Sequence, residues 1–422
     1  MNKTKHANTL VWLYIFLMPF TSAFSVTKVL PLPLLFLTVI TIGLLLTGRF
    51  TFIRCTKADA ILLAIVLLGI VPWAFLTPEL GGTNIGHLVG ISASILLYYV
   101  CVRSMLLSQA NFSWEKFANT SRNALLFISL VIIIECFSAS FLHVYISDIV
   151  PFPGAEELGR PDLLFGLKRP RAFSAEAGFT ALYFEMLAPI AWLLGGKNHT
   201  NHLVWLVIAC AYCVLASAAS FFALSASLLI AFLLFRDKKK IILVVLFIMV
   251  SISTYYFVDI VQYYFDNTML RKFTMLVDND FTYSSGRRYI YHTSLMIIKD
   301  YPIGIGWGTL SQEFRGNGNL LGNVFLVGGG AISLFLEIGV AAGWIGLSAF
   351  LGFVVSKISM LFRMRGRVRY KAPELIAVFI SLLAVSLHHI FISQFYFPFF
   401  WFSLALADFT YHSSKNSRTA TC

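Results

Sequence analysis

Residues 167–179 read LKRPRAFSAEAGF. Lys168, Arg169 and Arg171 lie close together, Ser174 and Glu176 follow, and a long apolar run begins behind them. A guanidinium is a planar fork of donors that matches the oxygens of a phosphate. A carboxylate beside such a cluster can act as a base, orient a hydroxyl, or pair with the arginines. A second cationic group comes later in the chain: Arg271, Lys272, Arg287, Arg288, Lys299 and Arg315. Two arginine-bearing segments at one mouth of a bundle can clamp a phosphate or pyrophosphate. Taken singly, these cations are better explained by acidic lipid headgroups or by the local acids Glu156, Glu157, Asp162 and Asp300. For the RPR cluster beside Ser174 and Glu176, the anion-clamp reading is the better one.

Ionisable groups inside apolar runs form a second set, because charge at membrane depth is costly and marks function by default. They are Glu135, Glu185, Asp259, Glu337, His388, His389 and Asp408. Glu185, Glu337, His388 and His389 are candidates for an ion or proton path, or equally for hydrogen bonding between helices. Asp408 is expected near a helix end, in water. Cys210 and Cys213 have CxxC spacing but lie within one apolar run with no second pair, so neither metal nor redox chemistry is read from them. No metal or cofactor is expected.

The elements that must position these residues are helices in a bilayer. Of the 422 residues, 58% are hydrophobic and 12% charged, against about 25% charged in a soluble domain; the mean hydropathy is +0.79. Apolar runs of about 18–20 residues, enough to cross a core of roughly 30 Å, recur near 9–26, 30–48, 60–77, 86–103, 123–142, 179–196, 203–217, 219–235, 241–260, 330–356, 375–392 and 396–410. The fold class is therefore an all-α integral membrane protein with about twelve transmembrane helices. The first run lacks a small-residue cleavage site and reads as a retained span.

With both termini in the cytoplasm, most of the 32 Lys and Arg fall on the inner side, including the RDKKK run at 236–240 and the basic stretch 357–371. The formal charge of +12 is then explained by insertion, and nucleic acid is not needed as a partner. This topology leaves two long external loops, 143–178 and 261–329, within a single membrane domain spanning 1–422. In the second loop, residues 287–299 form a helix ending at Tyr301-Pro302. Arg288, His292 and Lys299 share one stripe, and Tyr291, Leu295 and Ile298 a neighbouring one. That pattern suits an amphipathic helix at the membrane interface. Gly304, Gly306 and Gly308 permit close backbone approach or a sharp turn, and residues 321–330 read as a loop or re-entrant segment.

Three stretches together resemble the O-antigen polymerase and ligase superfamily of bacterial inner-membrane enzymes. RPRAFSAEAGFTALYF is similar to its Arg-rich segment with a Glu just before a span. GRRYIYHTSLMIIKDYPIGIGWG resembles its large-loop pattern, and FLEIGVAAGWIGL its Glu-x-Gly span. The resemblance implies glycosyl transfer in the periplasm between oligosaccharides carried on undecaprenyl pyrophosphate, with a chain-length regulator as a possible protein partner. It assigns pyrophosphate and glycan binding to Lys168, Arg169, Arg171, Arg287, Arg288, His292 and Arg315, and chemistry to Glu176 and Arg288. The ligase branch carries a His about ten residues before Glu-x-Gly. Here Asn323 stands in the equivalent stretch, which favours the repeat-unit polymerase over the ligase. A transporter or flippase is the competing class, against which no internal repeat is visible. Asp278 and Asp280 have DxD spacing, but with no nucleotide sugar expected outside the cytoplasm they read as loop.

Overall fold

The computed structural model describes residues 3–25, 30–48, 56–76, 82–108, 112–152, 167–195, 202–215, 217–235, 287–314, 332–364 and 373–419. The expected span at 241–260, Asp259, Asp278, Asp280, Arg271, Lys272, Asn323, Arg315 and the segment 321–330 lie outside these residues. The helices are α1 (Lys3–Leu17), α2 (Leu32–Leu46), α3 (Lys57–Leu68), α4 (Val71–Leu76), α5 (Gly82–Leu107), α6 (Trp114–Leu142), α7 (Ala177–Leu194), α8 (His202–Leu215), α9 (Ala218–Phe235), α10 (Arg287–Asp300), α11 (Thr309–Phe314), α12 (Leu334–Met364), α13 (Pro373–His388) and α14 (Pro398–Thr419). Each apolar run read from the sequence that falls among the described residues overlaps a helix, though the helix does not always fill it. Among the described residues, five stretches are long and apolar enough to cross a membrane: Lys57–Leu76, α5, α6, α7 and α12.

Burial separates an inner helix from outer ones. Of the apolar window, 83% is buried in α7 but only 28% in Lys57–Leu76. Helix α7 packs against α6, α13, α8 and α9. Leu63, Leu67, Leu96, Phe127, Leu130 and Ile134 are exposed on α3, α5 and α6. Apolar side chains on both faces of such helices are what a bilayer, rather than water, requires.

The first helix is shorter than the apolar run that holds it. It ends at Leu17, because Pro19 has no N–H to continue the ladder and biases the residue before it away from helix. The chain then turns, and the N–H groups of Ser22 and Ala23 both donate to the Phe173 carbonyl.

Helix α12 is broken at Gly343, which sits at φ 68°, ψ −168°, a conformation open to glycine alone. The break frees carbonyls that a regular helix would use, and the glycine-rich turn after α10 supplies donors for them. Ile305 N donates to Val340 O at 2.8 Å, Gly306 N to Ala341 O at 3.0 Å, and Trp344 N donates back to Pro302 O at 3.0 Å. Non-helical backbone inside an apolar bundle is tolerated because its polar groups are paired in this way. Gly304 has φ 85°, and a Cβ there would strike the Ala341 carbonyl. The GxGxG turn is therefore both a sharp turn and a close backbone approach. G343A is expected to lower the thermal midpoint: the positive-φ conformation costs about 1–3 kcal/mol, and the new Cβ would collide with the Pro302 carbonyl. G352A, on the same helix with nothing within 4 Å of the added Cβ, should be neutral or stabilising by up to about 1 kcal/mol. Equal melting curves for the two variants would refute this account of the break.

At the end of the bundle opposite the RPR loop, four charges expected on the cytoplasmic side meet in the interior. Arg103 donates to both Asp59 oxygens, at 2.7 and 2.8 Å. Lys357 donates to Asp408 at 2.5 Å and to Tyr99 Oη at 3.0 Å, and Tyr99 donates to Asp408 at 2.6 Å. Asp408 is 4% exposed, which corrects the expectation that it is solvated. Its place ten residues into α14 puts it where the apolar faces of α5 and α12 converge, and the two cations there neutralise it.

Candidate functional site

The RPR loop is held by groups from four parts of the chain. Glu135, near the end of α6, accepts hydrogen bonds through one oxygen from Arg171 N at 2.9 Å and Ala172 N at 2.6 Å. Ala172 has φ 53°, an uncommon backbone state for a residue with a Cβ. The Arg171 carbonyl accepts from Thr180 Oγ1 at 2.7 Å. Thr21 donates to Ser174 Oγ at 2.9 Å, Ser174 donates to the Pro19 carbonyl at 3.2 Å, and Phe20 stacks on Phe173 with centroids 4.1 Å apart. Lys168 N donates to Ser140 Oγ at 2.8 Å. The loop is thus a built element, and Lys168, Arg169 and Arg171 are half-buried on it. Arg169 Nε donates to the Leu215 carbonyl at 2.6 Å, so this guanidinium also caps the C-terminus of α8, where a cation is favoured. Glu176 is the N-cap residue of α7 and is half-buried; its side chain makes no capping bond.

Below this loop a buried acid–imidazole pair joins α7 to α13. His388 Nδ1 donates to Glu185 Oε1 at 2.8 Å, with side-chain exposures of 1% and 0%. Ser220, hydrogen-bonded to Tyr212 at 2.5 Å, adjoins the same carboxylate. A Cβ added at Gly178 would be 3.9 Å from His388 Nε2, so the imidazole lies under the first turn of α7. His389 is buried and donates from Nδ1 to Val385 O at 2.7 Å, while its carbonyl accepts from Leu334 N. It serves the junction of α13 and α12.

Arg287 and Arg288 form the first turn of α10. The buried face of this helix is Ile290, Ser294, Ile297 and Ile298, while His292 and Lys299 are exposed. The stripe is rotated one step from the expected Tyr291–Leu295–Ile298 line, and it packs on α12: Ile290, Ile297 and Ile298 form one cluster with Ile305, Leu310 and Val340. Leu295 and Met296 on the other side remain 48% and 43% exposed.

The two basic segments converge on one connector, residues 388–397. On one side, Phe397 packs edge-on against Phe179, centroids 4.8 Å apart, and Ile392 sits against Gly178. On the other, Tyr291 of α10 donates to the Ile390 carbonyl. Tyr396, at the far end of the connector, meets His87 Nε2 at 3.1 Å, and His87 Nδ1 lies 3.1 Å from Glu337 Oε1. His87 is a site residue that sequence reading missed. It stands alone in GTNIGHLVG with no partner at helical spacing, and its acid comes from a helix about 250 residues away.

Arg169, Arg171, Glu176, Glu185 and His388 are therefore gathered on one side of the connector, with α10, Glu337 and His87 on the other. Beneath the mouth the Glu185–His388 pair is sealed, whereas His87 and Glu337 line a small cleft on the other side. No curated protein matches this chain. Residues 203–351 match the family model described as O-antigen ligase. That stretch runs from α8 into α12, takes in α10, the glycine turn and Glu337, and is similar to the O-antigen ligase family.

Proposed function

We propose that this protein is a polymerase that joins oligosaccharide repeat units carried on undecaprenyl pyrophosphate into a surface polysaccharide, at the periplasmic face of a bacterial inner membrane with both termini cytoplasmic. The observation that carries the reading is the docking of two arginine-bearing segments on the same connector. Arg169, Arg171, Arg287 and Arg288 hold the donor's pyrophosphate, with Lys168, His292 and Arg315 extending the basic surface. Arg287 and Arg288 sit at the positive end of the α10 dipole, with no acid in that first turn. Such a placement is unfavourable for the helix alone, and a bound anion offsets it. As the anomeric C–O bond breaks, negative charge grows on the leaving phosphate, and fixed guanidinium donors stabilise it there. Glu176, at the mouth of α7, orients the acceptor sugar.

The test is the lipopolysaccharide ladder of a strain lacking this gene. Single repeat units capping normal lipid A core are the expected result. Bare core with polymer stranded on the carrier lipid would establish a ligase instead. Single units trapped on the cytoplasmic side would establish a flippase. In complemented cells with equal protein levels, R171A and R288A should each shorten the ladder or abolish it, by about tenfold or more in polymer yield, as expected when a charge-stabilising donor is removed. An unchanged ladder for both variants would remove the arginines from the pyrophosphate site.

A further inference from the structure

The acid–imidazole pair at His87 and Glu337 differs from the one at Glu185 and His388 in a property that matters for chemistry. Glu185 and His388 are sealed, at 0% and 1% exposure, whereas Glu337 and His87 retain 13% and 14% and line a small cleft. Its other walls are Gly306, Gly308, Leu310, Ser311, Val340 and Ala341. The walls are fixed: Ile305 N and Gly306 N are hydrogen-bonded to Val340 and Ala341, and Asn84 donates to the Trp307 carbonyl at 3.2 Å. Helix α10 adjoins the cleft, since Ile298 packs against Gly339, two residues beyond Glu337.

We propose that Glu337 is the general base that takes the proton of the attacking acceptor hydroxyl, with His87 as its positioning residue and Tyr396 behind it. The proposal rests on the polymerase reading above. His87 Nδ1 faces Glu337 Oε1 at 3.1 Å, close but off the line of a hydrogen bond; a small ring rotation completes it. His87 Nε2 faces Tyr396 Oη at 3.1 Å and Ser311 Oγ at 3.5 Å. While Glu337 is a carboxylate, Nδ1 donates to it and Nε2 accepts from the Tyr396 hydroxyl. Once Glu337 has gained a proton on its other oxygen, Oε1 still accepts from Nδ1 and Nε2 still accepts from the Tyr396 hydroxyl. Both protonation states are satisfied by the same heavy atoms, which lets the carboxylate gain and lose a proton without losing its support. In the step itself, the acceptor oxygen forms a bond to the anomeric carbon as the bond from that carbon to the phosphate oxygen breaks. The electron pair leaves on the lipid pyrophosphate, and the hydroxyl proton passes to Glu337.

The experiment uses the full chain in nanodiscs and, as substrate, the lipid-linked repeat unit extracted from a strain lacking this gene. E337Q should lower kcat by about 100-fold or more, the usual contribution of a positioned base, with KM within about threefold of wild type. E337D should recover part of that loss, and H87Q should lower kcat about tenfold, both with unchanged thermal midpoints. Wild-type kcat in E337Q would overturn the assignment. So would losses that follow falling thermal midpoints or rising KM, because a merely structural pair would act in that way. If E337Q does not fold, E337D and H87Q decide: wild-type turnover in both overturns the proposal. If the wild-type protein makes no polymer from this substrate, the polymerase reading itself falls, and the base with it.

Discussion

R103A is expected to lower the stability of the bundle by about 3–5 kcal/mol, the cost of leaving a buried charge without its partner. Arg103 is 1% exposed and holds Asp59 through both guanidinium nitrogens, with Asp408 3.4 Å from one of them. Asp59 also closes the N-terminal turn of α3, accepting from Thr56 N at 2.7 Å. Removing the cation leaves two aspartates sharing Lys357 alone. R103K should rescue poorly, because an ammonium cannot span both Asp59 oxygens as the planar fork does. The double variant R103M/D59L should be less damaging than R103A. It removes one cation and one anion and leaves the neutral set of Lys357, Asp408 and Tyr99 intact. Thermal unfolding of the detergent-solubilised protein, with protein level in membranes as a second reading, measures the order. A double variant as unstable as R103A, or an R103A protein that melts like wild type, would contradict the pairing.

This network shows what the sequence conceals even where it is informative. The positive-inside rule accounted for Arg103 and Lys357, and a charge explained by topology does not prompt a search for a second role. Asp59 and Asp408 are 349 positions apart and share no motif. The helices were legible because hydropathy is a local, summed signal and lipid demands it on every outer face. The break at Gly343 was not, because AAGWIG reads as one more small-residue stretch of a helix until the turn at 304–306 is seen feeding its N–H groups into it. The RPR loop and α10 were legible as candidates, since cations are conspicuous in an apolar chain. Their meeting on residues 388–397 was not, because that connector announces itself only as FISQFYF. Glu337 stands out as an intramembrane acid, whereas nothing in GTNIGHLVG marks His87 as its partner.

Glu135 presents the same limit in its sharpest form, and a second large effect follows from it. Its partners are backbone N–H groups, which no pattern of side chains can reveal. On the proposed polymerase function, E135A should reduce polymer yield by tenfold or more while the protein still reaches the membrane at a level sufficient to measure. Two N–H groups, Arg171 N and Ala172 N, would lose the carboxylate oxygen they share. Each unsatisfied donor costs about 1–3 kcal/mol when buried, and Ala172 is already held at φ 53°. The cheapest escape is for residues 169–173 to leave this conformation, because a loop can reach water where a helix cannot. Arg169 and Arg171 would then lose their fixed positions, and preorganised charge would become mobile charge, which stabilises a transition state far less. E135Q keeps one acceptor oxygen in place and should retain much of the activity, the more so as the two bonds converge on a single oxygen. The two substitutions therefore separate geometry from charge. If E135Q is as inactive as E135A, the negative charge of Glu135 itself is required at the mouth. If both are fully active, the pinned conformation of the RPR loop is not what places the arginines.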